Sequence, residues 1–268
     1  AADGLEFLSQ GQGVYVERVQ IAKLLGLPES DVRVVMVHNG GGFGGKTAVY
    51  LEAIALMLSK QSGRPVRMKM SREEVFRCAG PGAASKSRIR IGARHDGTIT
   101  AMEAQLAYEA GAFPGAPLGG GMRCLFGAYD VANVRVEGYS VVVNKPKVAA
   151  YRAPGAPQSE FAAEMAVNEL ADKLGMDPIE LRLKNAAQEG TQTIYGPKLK
   201  AVGLVECLNA AKNSPHYQSA LAAGRGRGIA AGFWFNVGGQ SSVLINMKPD
   251  GTGTIVEGSP DIGGSRAS

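Results

Sequence analysis

Three cysteines and three histidines in 268 residues leave little material for a metal cluster built from side chains. Cys78, Cys124 and Cys207 are far apart and odd in number, which excludes a disulfide framework and a zinc site of paired cysteines. They are the pattern of incidental thiols in a reducing compartment, with Cys124 expected as a small buried hydrophobe. His38, His95 and His216 show no ligand spacing. Aromatic residues make up only 6% of the chain, and its lysines and arginines are dispersed among acidic residues. The net charge of +5 therefore forms no basic stripe with interleaved aromatics, which argues against a nucleic-acid partner. No apolar run of spanning length and no secretory leader pattern occur, so a cytoplasmic location without a membrane partner is expected.

What the chain has is glycine. Its 37 glycines are about twice the ordinary share, with no collagen-like period, and a hydrophobic content of 45% is enough for a normal core. The length allows one large domain or two smaller ones. Two breaks carry most of the information: His38-Asn39-Gly40-Gly41-Gly42-Phe43-Gly44-Gly45-Lys46 and Ala150-Tyr151-Arg152-Ala153-Pro154-Gly155-Ala156-Pro157-Gln158. Each lies between a valine-rich run (Val32 to Val37, Val141 to Val148) and a helical pattern (Thr47 to Ser62, Ser159 to Leu174). A loop without Cβ atoms lets main-chain N–H groups converge on an anionic or planar ligand, and a helix N-terminus adds unpaired amides and a positive dipole end. Gly40 to Thr47 also satisfies the phosphate-loop expression G-x-x-x-x-G-K-[ST]. No second apolar strand ending in a magnesium-binding Asp accompanies it, and a nucleotide-binding reading leaves the second break unexplained.

The remaining elements follow from periodicity and punctuation. Val16 to Leu27 has helical spacing closed by Gly26 and Pro28, and Asp31 to Val37 is a buried strand. Ala48, Leu51, Ala55 and Leu58 form one apolar stripe. Val66 to Met70 is a short strand, followed by Ser71 as N-cap with Glu74 in the capping-box position. Ser87 to Glu109 alternates with period two around Asp96-Gly97, a strong hairpin signal. Gly111 to Gly121 is a loop, Val134 to Val143 a strand, and the helix from Ser159 turns Phe161, Met165, Leu170 and Leu174 inward. Asp177-Pro178 opens another helix. Gly224 to Gly228 is a solvated linker. Ile229 to Phe235, Ser241 to Met247 and Gly253 to Glu257 are strand patterns, with a second hairpin turn at Asp250-Gly251. The fold class is α+β, with mixed and antiparallel sheets packed by helices.

The two loops and the text around them resemble the molybdopterin-binding large subunit of the xanthine dehydrogenase and aldehyde oxidase family of molybdenum hydroxylases. The resemblance runs in order through Gly40 to Lys46, Ser71-Arg72-Glu73-Glu74, Met122-Arg123-Cys124-Leu125-Phe126, Tyr151 to Gln158, Glu169 to Asn185, Gly226-Arg227-Gly228-Ile229 and Gly258 to Gly264. It implies an enzyme that inserts a water-derived oxygen into an activated C–H bond of an aldehyde or N-heterocycle. It also implies molybdopterin, in the cytosine dinucleotide form, with molybdenum held by the pterin's own sulfurs. Iron–sulfur clusters and FAD would sit on partner subunits. Gly42, Phe43, Gly44, Gly45, Arg152, Ala153, Gly263 and Gly264 would hold the cofactor, Phe43 and Gly44 lying beside the metal's oxo ligand. Arg123 would orient or polarise substrate, a task suited to a group that stays charged and donates through a fixed fork.

Three departures bear on substrate. Thr47 stands where purine-oxidising members have a glutamate, Pro154 where many have an aromatic, and Gly264 where many have a glutamine, so xanthine is a poor candidate. Ala153 stands where copper-containing carbon monoxide dehydrogenases carry cysteine, which removes that branch. The family's general-base glutamate lies beyond the region matched, so the chain is expected to be a fragment with negligible turnover alone. The expected division is 1–215 for a first molybdopterin-binding region, 216–228 for a linker and 229–268 for the start of a second. The rival expectations are a phosphate-loop nucleotide-binding protein using Gly40 to Thr47, and a non-catalytic assembly fragment.

Overall fold

The structure, a computed structural model, describes residues 4–235 and 243–262. The chain forms two compact units. One takes the residues up to Gly82, the short segment Pro146–Arg152 and the C-terminal hairpin; the other takes Ala83–Lys145 and the chain from Ala153 up to residue 235.

The first unit begins as a strand, helix, strand crossover. β1 (Leu5–Ser9) and β2 (Val32–Met36) pair in parallel, Leu5 opposite Val32 and Ser9 opposite Met36. α1 (Val14–Leu25) connects them, and Gly26 ends it in the left-handed conformation (φ 65°), which glycine adopts without steric cost. Ile21 and Ala22 of α1, Val32 and Val34 of β2, and Leu56 of α2 (Glu52–Ser62) form the buried core, with Leu5, Phe7 and Leu25 packed around it. α3 (Arg72–Cys78) carries the expected capping box. Ser71 Oγ accepts from the Glu74 amide and the Glu74 carboxylate accepts from the Ser71 amide.

The second unit is built on a three-stranded sheet in the order β3 (Ser85–Ala93), β4 (Ile99–Gly111), β5 (Val134–Val142). β3 and β4 are antiparallel around Asp96-Gly97, whereas β4 and β5 are parallel. Met102, Ala104, Leu106, Tyr108 and Ala110 of β4 are all buried, the period-two face that the sequence shows. Helices α4 (Leu118–Cys124) and α5 (Ala156–Leu174) pack together, α5 against β3 and α4 against β5. α6 (Pro178–Asn185), capped by Asp177, is followed by α7 (Leu204–Lys212) and the single turn α8 (Pro215–Gln218). In the first unit, the hairpin β6 (Val243–Met247) and β7 (Gly253–Glu257) turns at Asp250-Gly251 as expected.

A buried ion pair organises the second unit. Arg182 of α6 donates from Nε (3.0 Å) and one terminal nitrogen (2.7 Å) to Glu164 Oε2 of α5, and both side chains are buried. The terminal nitrogens of Arg182 also donate to Asn168 Oδ1 (2.9 Å) and the Pro178 carbonyl (3.0 Å). Tyr129 donates to the other carboxylate oxygen, and the Ala231 amide donates to Oε2 (2.6 Å). Asn185 ties α6 to the β3–β4 turn, accepting from the Ile99 amide (2.8 Å) and donating to the Gly97 carbonyl (2.9 Å).

Six expectations need correction. The helix after the first glycine loop begins at Glu52, five residues later than Thr47, because Gln20 holds the intervening chain by accepting from the Val49 amide and donating to the Thr47 carbonyl. The apolar stripe is correspondingly different: Ala55 and Leu56 are buried, whereas Ala48 and Leu58 are exposed. Residues 66–70 form no strand, having no ladder partner among the described residues. The end of the 111–121 stretch is helical. Ile229 to Phe235 forms no strand either. Its alternating amides at Ala231 and Phe233 are taken by Glu164 and Glu160, one turn apart on α5, instead of by a neighbouring strand. Finally, α5 buries Ser159, Ala163, Glu164, Val167 and Ala171 and leaves Phe161 and Met165 exposed, since small side chains permit its close approach to α4 and the sheet.

Breaking the buried pair leaves an uncompensated charge. Arg182→Ala is expected to destabilise the second unit by about 3–5 kcal/mol, read as the shift of its urea unfolding transition; a loss under about 1 kcal/mol would show that the pair is solvated.

Candidate functional site

In the first unit the structure brings the start of the second break, Ala150 to Arg152, against the first glycine-rich break. The Arg152 amide donates to the Phe43 carbonyl at 2.7 Å. A Cβ built on Gly44 (φ 94°) would lie 2.8 Å from the Ala150 carbonyl oxygen, so main chain rests directly on main chain and only glycine fits. Phe43 (φ 51°) and Ala153 (φ 54°) are the two non-glycine residues with positive φ among the described residues, one in each break. Such backbone strain persists where the surrounding structure fixes it, and it gathers at ligand sites.

The loop is held from beneath by a residue that the sequence did not single out. Gln12 Oε1 accepts from the amides of Gly44 (2.8 Å) and Lys46 (3.0 Å), and the Gln12 amide donates to the Lys46 carbonyl (2.9 Å). The Gly45 amide bonds the Gly42 carbonyl (2.8 Å), and Thr47 donates its amide and hydroxyl to the Gly44 carbonyl. Asn39, buried, donates to the carbonyls of Gln10 and Gly11. Tyr50 accepts from the Gly80 amide (3.1 Å) and donates to the Gly45 carbonyl (3.3 Å). The only sequence signal for Gln12 is its place between Gly11 and Gly13 just after a strand.

These bonds overturn the phosphate-loop reading. The amides of Gly44, Gly45, Lys46 and Thr47 are consumed inside the protein, and the Lys46 ammonium donates to the Asn39 carbonyl (2.7 Å) and Oδ1 (3.3 Å). Burial lowers the Lys46 pKa. Lys46 and Thr47 also come before the first turn of α2, whereas that motif opens the helix with them. The amides of Gly41, Gly42 and Phe43 have no hydrogen-bond partner among the described residues, and the Phe43 ring is exposed.

In the second unit, Gly155 is the site of another close approach. Its Cβ would fall on the Pro117 carbonyl, and Tyr108, buried in β4, donates to the Gly155 carbonyl (2.7 Å). Burial pushes the Tyr108 phenol up to about 12, so its hydroxyl keeps the proton that it donates. Arg123, on the last turn of α4, is exposed and makes no ion pair among the described residues. Its guanidinium lies over the Phe235 ring, 5.3 Å from the centroid, and Phe235 stacks on Trp234 at 4.5 Å. Beside it Cys124 is buried as expected, and its thiol is pushed up to about 11 by burial. Gly263 and Gly264 lie outside the described residues. No group of three or more potential side-chain metal ligands occurs among the described residues, and no helix there is long and apolar enough to cross a membrane.

The pattern of the molybdopterin cofactor-binding domain matches residues 1–186. The chain belongs to that family. It is 34% identical over 206 residues to the nicotinate dehydrogenase large molybdopterin subunit of Eubacterium barkeri, covering 75% of this chain and 48% of that protein. It is 30% identical over 278 aligned positions to the xanthine dehydrogenase molybdenum-binding subunit of Escherichia coli O157:H7, covering 97% and 37%. The aldehyde oxidoreductase structure from Desulfovibrio desulfuricans superposes with a TM-score of 0.86 at 29% identity, covering 94% of this chain and 29% of that one. The chain thus spans about half or less of the length of these relatives. The expected α+β class and the resemblance to molybdopterin-binding subunits of xanthine dehydrogenase and aldehyde oxidoreductase type both hold.

Glu160, which accepts from the Phe233 amide at 2.7 Å, gives the second unit a pH dependence. Burial pushes its carboxyl up to about 7; the bond from Phe233 opposes the rise and the charge of Glu164 adds to it. A carboxyl raised in the fold contributes stability that is complete below its ordinary value of 4.5 and is lost as pH climbs to about 7. Glu160→Gln is therefore expected to narrow the stability difference between pH 5 and pH 8. Parallel urea titrations at the two pH values measure it, and an unchanged difference would remove Glu160 as its source.

Proposed function

We propose that this chain is the molybdopterin-binding part of a molybdenum hydroxylase large subunit, acting on an aldehyde or an N-heterocycle. The observation that carries the reading is the platform made where Phe43 and Gly44 meet Ala150 and Arg152 backbone to backbone. The strained Phe43 and the unpartnered amides of Gly41, Gly42 and Phe43 fit a ligand that must approach main chain closely. Gly42, Phe43, Gly44, Gly45, Arg152, Ala153, Gly263 and Gly264 would hold the cofactor, in its cytosine dinucleotide form. When bound, that group supplies a two-electron acceptor and a position for a water-derived oxygen. Iron–sulfur clusters and FAD on partner subunits would carry the electrons onward, in the cytoplasm.

The protein's own contribution lies in orientation and charge. Arg123, lying over the Phe235 ring, carries a positive charge and would point donors at an anionic or developing oxyanion substrate group. Thr47 has no carboxylate to offer a purine, and its hydroxyl is spent on the Gly44 carbonyl. Pro154 supplies no aromatic ring to stack on one. These features favour an aldehyde or a smaller heterocycle over xanthine. The division into 1–215, a linker at 216–228 and 229–268 belongs to the same proposal, as does negligible turnover by these 268 residues without the remainder of a large subunit.

Molybdenum and oxidised pterin, measured on the full-length subunit purified with its partners, are expected near one of each per subunit. Absence of both would end the reading. In that holoenzyme Arg123→Met is expected to lower kcat/KM by about 10²-fold, with cofactor content unchanged. An unchanged kcat/KM would leave Arg123 a surface residue.

A further inference from the structure

Under the glycine loop lies a buried carboxyl with no place in the function described so far. Glu17, at the start of α1, is 2% exposed, and its Oε2 has no hydrogen-bond partner. Its other carboxylate oxygen occupies the space that a Cβ on Gly11 would need. The side chain has turned back from the helix to press on the chain two residues beyond β1. That stretch is closely bonded. The Gly11 amide donates to Ser9 Oγ (2.9 Å), the Gly11 carbonyl accepts from Asn39 (2.6 Å), and the next residue is Gln12, whose Oε1 holds the Gly44 and Lys46 amides.

We infer that Glu17 is a positioning residue for the glycine loop: its carboxyl fills the missing side-chain space of Gly11, fixes the Gly11–Gln12 peptide, and thereby sets where Gln12 holds Gly44 and Lys46. The burial of an unpaired carboxylate oxygen is costly, and a carboxyl at a free helix N-terminus would gain from reaching solvent or the unpaired first-turn amides instead. Its seat against Gly11 is the alternative that the packing enforces. Burial raises the Glu17 pKa, while a hydrogen bond with Ser9 opposes the rise and the charge of Glu52 adds to it. Gly11 is not in a positive-φ conformation, so the requirement for glycine there is one of space and not of backbone freedom. The loop's relation to a cofactor rests on the function proposed above; the mechanical chain from Glu17 to Gly44 does not.

The test exchanges the two volumes in the 268-residue chain without cofactor. Glu17→Ala and Gly11→Ala are each expected to speed hydrogen exchange at the Gly44 and Lys46 amides by about tenfold or more, with the β3–β4 hairpin of the other unit unaffected. The double variant, in which a methyl group at position 11 enters the space vacated at 17, is expected to recover at least about half of that loss on a logarithmic scale. Unchanged exchange in Glu17→Ala, or additive effects in the double variant, would overturn the inference. Because exchange is read without cofactor, its failure is distinct from that of the proposed function, which would show as a full-length holoenzyme without pterin. Gln12→Ala supplies the upper limit of the effect, since it removes the bonds themselves.

Discussion

Backbone packed on backbone, with no side chain between, is the constraint on which both units depend. At Gly44 against Ala150, and at Gly155 against Pro117, the separations leave no room for a Cβ. Two main-chain segments at that distance have their polar groups in place of a hydrophobic seam, and every N–H and C=O there needs a partner. In the first unit the partners are Gln12, the Gly42 and Gly44 carbonyls, and the Phe43 carbonyl that receives the Arg152 amide. Among the described residues, the amides of Gly41, Gly42 and Phe43 stay unpartnered. Those open amides are where the ligand of the proposed function would approach the main chain.

Polar groups, more than apolar area, set the relative placement of elements in the second unit. Glu164 receives bonds from Arg182, Tyr129 and Ala231, so one carboxylate fixes α6, the chain after α4 and the extended 229–235 segment against α5. Glu160 repeats the device one turn earlier with Phe233. The segment thereby placed carries Phe235 under the Arg123 guanidinium. A cluster bonded this fully rewards one arrangement and penalises near misses, because each alternative leaves a buried charge or amide without its partner. It also explains why the α5 face is small and polar where a large apolar face was expected from Phe161 and Met165.

Local chemistry was legible where one turn or one alternation decides the outcome. Asp96-Gly97 and Asp250-Gly251 turn their hairpins, Ser71 and Glu74 close a capping box, and Pro178 follows an Asp177 cap. The even-numbered residues of β4 from Met102 to Ala110 are buried as their alternation requires. Legibility failed where a distant side chain intervened. The start of α2 is delayed by Gln20, 27 residues before Thr47. The strand pattern from Ile229 is diverted to carboxylates 67 and 73 residues earlier.

The sequence by itself determined the family, through the order of its glycine-rich and Glu169 to Asn185 motifs, and with it the α+β class. It also determined that glycine was needed in both breaks, since side-chain-poor loops serve close approach wherever they occur. Only the tertiary structure decided which amides remain open to a ligand. The same loop text is compatible with a phosphate cradle or a cofactor platform. The difference is made by Gln12 and Asn39, which reach the loop across 32 and 7 residues of chain and use up the amides and the lysine that a phosphate would need. Hydrogen bonds between residues so separated depend on where the fold carries each partner, and no local pattern encodes that.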